Sequence, residues 1–408
     1  MEESKVALLK GDEIGKDRFG QRLYLSSLTK NLSILTTGLS GSGKSYAMTV
    51  MCEIRFKKGE NILIIAHHGS SQNNPAFCAF CKKHKSQIRR VSKGEVIYLP
   101  LAVEIPEELT AETARQLAVQ LAGAFSKAWR VAKNHRKYLV EAFEEAISSG
   151  RLFKEGVSVL LEILQSMGRE SAKNLMVTLE PVLRFVDIRI GAFPMENPII
   201  IYDLNDLPDE TQTILARLIL RAVVYAGEAN VFSEHGCTVL LDEVQYMDCE
   251  PDSPLREALG ILRKKGISML LGCPESIADK KSVAHVIAKL VGTNFLFNQG
   301  LGANVEVVKQ LGVTPTEEPT HASKLANLQI GECLVKGDLV DNQGKQKDLQ
   351  IVKIPEYDEV SQKGTELCGN NRGIVRAPKV QQSYEGEIVD VVEEFIAEGG
   401  ENDGTCSN

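Results

Sequence analysis

Eight consecutive residues constrain this chain more than any others: Gly38-Leu39-Ser40-Gly41-Ser42-Gly43-Lys44-Ser45, which match GxxxxGK[ST] at every fixed position. A short β-rich run, Leu32-Ser33-Ile34-Leu35-Thr36-Thr37, leads into them. Behind them, YAMTVMCEIRFKK carries Met48, Met51, Cys52 and Ile54 on or near one helical face. The chemistry needs this spacing. Gly38, Gly41 and Gly43 let successive backbone N–H groups converge on phosphate oxygens that a Cβ would keep away. Lys44 brings a compact positive charge to the β- and γ-phosphates, and the Ser45 hydroxyl is a ligand for Mg²⁺. Ser40, Ser42 and Tyr46 complete the expected contact set, and the start of the helix adds the positive end of its dipole. The expected ligand is ATP with Mg²⁺.

Beyond Gly59, Asn61-Ile62-Leu63-Ile64-Ile65-Ala66 reads as a second buried strand. Strand, glycine loop, helix and strand form a βαβ unit, so a parallel sheet is expected. The pattern resumes with the strand Pro198–Asp203, the helix Gln212–Ala226 and the strand Cys237–Leu241. The helix LREALGILRKKG, the strand Ile267–Leu271, the helix SVAHVIAKLVG and the strand Asn294–Phe297 follow. This predicts an α/β doubly wound, mostly parallel sheet.

The rest is assigned around that core. Residues 1–30 read as a small N-terminal β element, and 31–105 with 190–355 as the core. Residues 70–105 look irregular. Residues 106–189 form an α-helical insertion broken at Gly150, Gly156 and Gly168. Gly331–Pro355 reads as small strands, and 356–408 as an acidic, disordered tail.

The second chemical motif is Thr238-Val239-Leu240-Leu241-Asp242-Glu243, a buried strand that ends in two acids. Asp242 is placed to hold Mg²⁺ through water, and Glu243 to act as general base on the attacking water. A glutamate there favours hydrolysis over phosphoryl transfer to a small molecule. The long gap between Lys44 and Asp242 also fits small-molecule kinases poorly.

Charge leaves the choice of partner open. The formal net charge is -7, yet no Lys or Arg follows Lys379, while Glu385, Glu387, Asp390, Glu393, Glu394, Glu398, Glu401 and Asp403 do. The body without this tail is close to neutral, which does not oppose a nucleic-acid partner. Charges interrupt every apolar run, so no membrane span is expected, and the start MEESKVALLKGDEIG lacks a signal-peptide layout. Nine cysteines without even spacing fit reduced thiols in the cytoplasm.

In order and spacing, these residues resemble the HerA/FtsK superfamily of P-loop motor ATPases, in its HerA-like and conjugative type IV secretion branch. The resemblance runs from about Leu8 to Pro355. It rests on LLKGDEIGKDRFGQRLYL before the glycine loop, PIIIYDLNDL (198–207) with its long helix, LLDEVQYM (240–247), LREALGILRKKGISMLL (255–271) and LQIGECLVKG (328–337). It implies a RecA-like core, a ring, most often a hexamer, and ATP-driven translocation or transfer of double-stranded DNA. A nuclease or a membrane secretion complex is the implied partner, with any membrane association made through it. It also implies an arginine that reaches a neighbour's γ-phosphate, for which Arg263 is the candidate, with Lys264 beside it.

The sequence departs from that family at three places. Ala66-His67-His68-Gly69-Ser70-Ser71 lacks the usual aspartate and glutamate. Gly272-Cys273-Pro274-Glu275-Ser276 lacks the glutamine that would sense the γ-phosphate, and Phe297-Asn298 stands where many relatives have arginine. Two other readings stay open as a result: an ATPase that powers assembly of a secretion apparatus, and a slow nucleotide-gated scaffold.

Weaker patterns remain. Cys78-Ala79-Phe80-Cys81 with His84 offers three of the four ligands a zinc site needs, His67 and His68 lie upstream, and a reduced pair in a loop is the alternative. Lys82–Arg90 and Lys127–Lys137 could touch a phosphate backbone or be solvated faces. Trp129 is expected to pack within the helical insertion, and Ile388–Ile396 is a short acidic amphipathic stretch.

Overall fold

The fold is seen in a computed structural model that describes residues 10–69, 74–102, 109–232, 235–300 and 303–362. Two compact units emerge. The first contains the described residues up to Arg90, Pro198–Asn205 and those from Phe232 onward; the second contains those of Val91–Asn197 and Asp206–Val231. The acidic stretch Ile388–Ile396 lies outside the described residues.

The first unit is built on an eleven-stranded sheet. Its strands are β1 (Lys10–Lys16), β2 (Arg22–Ser26), β3 (Ile34–Thr37), β4 (Asn61–Ala66) and β5 (Ile88–Val91). The unit continues with β8 (Ile199–Asp203), β9 (Cys237–Leu241), β10 (Ile267–Cys273), β11 (Thr293–Leu296), β12 (Glu332–Asp341) and β13 (Gln346–Lys353). Across the sheet the order is β13-β1-β2-β12-β11-β3-β10-β9-β4-β8-β5.

The central strands from β11 through β8 pair in parallel, with Leu270 opposite Ile34 and Leu240, and Leu63 opposite Val239 and Ile200. Every residue of β3, β9, β10 and β11 is buried, as a sheet covered on both faces requires. The doubly wound α/β expectation is borne out.

β12 turns antiparallel to β11 and forms a long hairpin with β13, in place of the small strands expected. The β1–β2 hairpin joins the same sheet, with β1 against β13 and β2 against β12.

Helix α1 (Lys44–Lys57) packs against the sheet and buries Ala47, Met48, Val50, Met51 and Cys52 in the core of this unit. Within it Arg55 is fully buried. Its guanidinium donates to Asp12 Oδ2 (3.1 Å), Ser268 Oγ (2.5 Å), Thr238 Oγ1 (3.3 Å) and the Leu32 carbonyl (2.7 Å). One cation thus ties β1, β9 and β10 to the helix, with all three of its nitrogens donating. Burial would raise the Asp12 carboxyl, but Arg55 and Lys58 outweigh it and hold the carboxyl below its usual range.

Between residues 74 and 102 the chain is more regular than its composition suggests. Helix α2 (Pro75–Lys83) starts at Asn74, whose Oδ1 accepts from the Ala76 and Phe77 amides, and Pro75 pre-sets the first turn. Ala76, Phe77 and Phe80 turn inward, so Cys78 and Cys81 lie on a helix and not in a loop.

α2 packs on α1 around Glu53. That fully buried carboxylate accepts from Lys83 Nζ (2.6 Å) and Tyr357 Oη (3.1 Å), and its Oε2 lies 2.7 Å from His84 Nε2. Tyr357 opens α13 (Tyr357–Gln362), a short helix where the tail was expected to have begun. Lys57 and Lys83 donate to its final carbonyls.

Burial raises the Glu53 carboxyl, but the hydrogen bonds from His84 and Lys83 outweigh this and leave it below its ordinary value of 4.5. A carboxyl depressed in the fold stabilises most above its unfolded value, and that contribution drains away as pH falls through the folded one. Glu53→Gln should therefore cost about 2 kcal/mol at neutral pH. Thermal midpoints of both proteins, measured down to about pH 3, should converge. A gap independent of pH would contradict this account.

The second unit is mainly helical: α3 (Ala111–Trp129), α4 (Arg136–Ser148), α5 (Arg151–Glu155), α6 (Val159–Ser166), α7 (Glu170–Leu183) and α8 (Asp209–Glu228). A parallel pair, β6 (Ile97–Leu99) with β7 (Ile188–Ile190), accompanies them. The expected breaks at Gly150, Gly156 and Gly168 all occur, each glycine having positive φ. Trp129 is buried and stacks on Phe125 at 4.9 Å, as a packing residue should. The long helix after β8 packs on α3 and α7 within this unit. No described helix is long and apolar enough to cross a membrane.

Candidate nucleotide-binding site

Helices α9 (Pro254–Ile261) and α10 (Val283–Ala288) flank β10 in sequence, and α11 (Ala303–Gln310) and α12 (Glu318–Ala326) lead to β12. The glycine loop leaves the carboxyl end of β3 and runs directly into α1. Gly38, Gly41 and Gly43 all have φ in the left-handed region, at 146°, 77° and 109°. A Cβ on Gly38 would lie 2.7 Å from Phe297 Cβ, so space as well as backbone angle demands glycine there.

Lys44 is buried and folds back over the loop, donating to the Gly38 carbonyl (2.9 Å) and the Leu39 carbonyl (3.0 Å). Burial lowers its pKa, while Asp242 and Glu243 oppose that shift. The Ser42 hydroxyl is buried without a hydrogen-bond partner among the described residues. Around Gly41, a Cβ would meet nothing within 4 Å. An orphaned hydroxyl, an open cradle and a poised ammonium suit a polyphosphate.

The second motif arrives from two strands away. Ser45 Oγ donates to Asp242 Oδ2 at 2.5 Å, and Asp242 Oδ1 accepts the Glu243 amide at 3.0 Å. Burial raises the Asp242 carboxyl, and the Ser45 hydrogen bond counters it. Two hard oxygen donors side by side suit Mg²⁺.

β10 lies between β3 and β9, so the Asp242 carboxylate must cross above it to reach Ser45. The residue beneath that crossing is Gly272. A Cβ there would sit 1.9 Å from Asp242 Oδ1. Gly272 also opens the segment that lacks the expected glutamine, and only a residue without a side chain fits beneath Asp242.

Glu243 has φ 56°, a conformation uncommon outside glycine, and caps the short 3-10 turn Val244–Tyr246. Gln245 Nε2 donates to its carboxylate, while Gln245 Oε1 is buried without a partner among the described residues. Nothing in the sequence marks Gln245 apart from its nearness to the acids.

At the end of β4, His67 is fully buried and burial pushes its pKa down to about 3, so it stays neutral. It does not replace the missing acid electrostatically. His68 stacks on Tyr246, ring centres 3.9 Å apart.

Other candidates fall elsewhere. Tyr46 presents its hydroxyl to the Tyr357 amide (2.7 Å), so its side chain braces α13. Ser40 is exposed on the loop. Arg263 lies in the 3-10 turn Leu262–Lys265, and its side chain is outside what the structure describes.

The Cys78, Cys81 and His84 set does not converge, because His84 is engaged by Glu53 and Gln87. No metal-binding cluster occurs among the described residues. Of the basic run 82–90, Lys83 is spent on Glu53, and Arg90 lies 3.7 Å from Asp203.

No family model matches the sequence, and no curated protein matches it either. Solved structures do. VirB4 of Thermoanaerobacter pseudethanolicus aligns with TM-score 0.57 and 17% identity, covering 86% of this chain and 98% of that one. The bacterial conjugative coupling protein TrwB aligns at 0.49 and 12%, covering 86% and 91%. The genome packaging NTPase B204 of Sulfolobus turreted icosahedral virus 2 aligns at 0.37 and 9%, covering 81% and 100%. At such identities the likeness is one of fold. The fold is the RecA-like α/β core that the resemblance to P-loop motor ATPases implied.

Proposed function

We propose that this chain is an Mg²⁺-dependent ATPase, a divergent member of the HerA/FtsK superfamily, working as a ring-forming motor that translocates or transfers double-stranded DNA. The observation that carries the hydrolytic part is the convergence of Ser45, Asp242 and Glu243 beside the glycine loop.

Each residue has a task. The loop amides and Lys44 hold the phosphates and meet the charge that grows on them. Ser45 and Asp242 hold Mg²⁺, which when bound neutralises charge on the phosphate oxygens. Glu243 accepts a proton from the attacking water, and Gln245 fixes the carboxylate that does so. Arg263 serves a neighbouring subunit in a hexamer. A nuclease or a membrane secretion complex is the implied partner of a cytoplasmic ring.

A second reading is an ATPase that drives assembly of a secretion apparatus. The internal use of Lys83 and Arg90 favours it, since it leaves fewer cations for DNA.

Steady-state ATP hydrolysis with and without long double-stranded DNA separates the two, with Lys44→Ala as blank. A motor shows DNA stimulation that fades as salt rises, since phosphate contacts release counterions. Slow turnover indifferent to DNA would overturn the motor reading and leave the assembly ATPase.

A further inference from the structure

The two ends of a bound polyphosphate can be told apart from the strand order. Glu243, which addresses the γ-phosphate, follows β9, on one side of β3. β11 and then β12 lie on the other side. A ligand with its γ-phosphate on the β9 side has the opposite side, toward β12, open to its nucleoside end.

The start of β12 is indeed close to the glycine loop. A Cβ on Gly43 would lie 3.6 Å from the Gly331 amide nitrogen. Ile330, just before it, is 87% exposed, and Phe19 in the β1–β2 turn is 96% exposed. They are the two most exposed large apolar side chains among the described residues.

Both are held on fixed supports. The Phe19 and Gln21 amides donate to Asp17 Oδ1 at 2.9 and 2.8 Å. One Glu332 oxygen then joins the two segments, accepting from Arg18 Nη2 (3.2 Å) and from the Gln329 amide (3.1 Å). Water-facing apolar groups on rigid turns, at the edge open to the nucleoside, call for a flat apolar partner.

We propose that Phe19 and Ile330 form a platform that receives the nucleobase of the bound nucleotide. This rests on the phosphate-site reading above. Phe19 offers a ring face for stacking, and Ile330 an aliphatic surface beside the sugar and base.

Calorimetry on the full chain tests it, with Mg-ATP and Mg-tripolyphosphate as separate ligands. Phe19→Ala should weaken ATP binding about tenfold, the scale of a lost base–aromatic stack. Tripolyphosphate, which has no base, should bind unchanged. Ile330→Ala should act in the same direction, and Phe19→Trp should restore ATP affinity and show fluorescence quenched by ATP. The exposure of both side chains leaves the thermal midpoint unaffected. Unchanged ATP affinity in Phe19→Ala, with binding still lost in Lys44→Ala, overturns the platform and keeps the phosphate site. Failure of the unsubstituted protein to bind either ligand overturns both.

Discussion

Glu243→Gln is expected to lower ATP turnover by about 100- to 10,000-fold, the usual contribution of a positioned general base. Nucleotide affinity should persist. The amide is nearly isosteric with the carboxylate, and the phosphate contacts proposed above belong to the glycine loop, Lys44 and Ser45, whose own hydrogen bonds do not involve the Glu243 side chain. The backbone of residue 243 should also hold its left-handed conformation, because the Asp242 carboxylate still accepts its amide. Single-turnover hydrolysis and equilibrium ATP binding, measured on the same preparation, check both halves. Full activity in this variant would move the base to another residue and undo the assignment of Glu243.

Gly272→Ala should be the most damaging single-methyl change in the site. The added carbon would meet Asp242 Oδ1 at 1.9 Å and Met48 Cε at 2.7 Å. Met48 can swing aside. Asp242 cannot do so without releasing Ser45 Oγ and the Glu243 amide. A stability loss of about 2–3 kcal/mol follows from overpacking, together with loss of Mg-ATP hydrolysis.

Gly260→Ala, in α9, is the matched control, since a Cβ there meets nothing within 4 Å. Alanine in a helix should stabilise it by up to about 1 kcal/mol. Thermal midpoints and ATPase rates of the two variants should diverge sharply. A Gly272→Ala protein as stable and active as its parent would contradict the crossing of Asp242 above β10.

The glycine loop, its flanking strand and helix, and the pair of acids ending β9 were legible because their constraints are local. A glycine loop between a strand and a helix announces itself in eight consecutive residues. The parallel core was readable for a similar reason: β3, β4, β8, β9 and β10 are buried on both faces and appear as short apolar runs.

What stayed hidden depends on distant partners. Gly272 looks like a strand glycine until the strand order puts Asp242 over it. Residues 75–83 looked irregular because their helix is fixed by an Asn74 cap and a short apolar face, too brief for a periodic signal. The basic run 82–90 reads in the sequence as a phosphate contact or a solvated face, and neither reading reveals that Glu53, fully buried on α1, holds Lys83. Tyr46 sits next to the loop in sequence, yet its hydroxyl serves Tyr357.

The interleaving of the sheet's two ends bears on how such a chain is made. β1 and β2 come from its beginning, and each pairs with a strand from near its end; Arg18 and Glu332, joined at this seam, are 314 residues apart. On a ribosome the first hairpin emerges long before its neighbours exist. Until β12 and β13 follow, its outer edges stand open to other strands, a state that invites mispairing between nascent chains. The bulges in β1, between Lys10 and Glu13 and between Glu13 and Gly15, twist one of those edges out of line. A bulged edge pairs less readily with a foreign strand, so an irregularity that the finished sheet tolerates disfavours that mispairing.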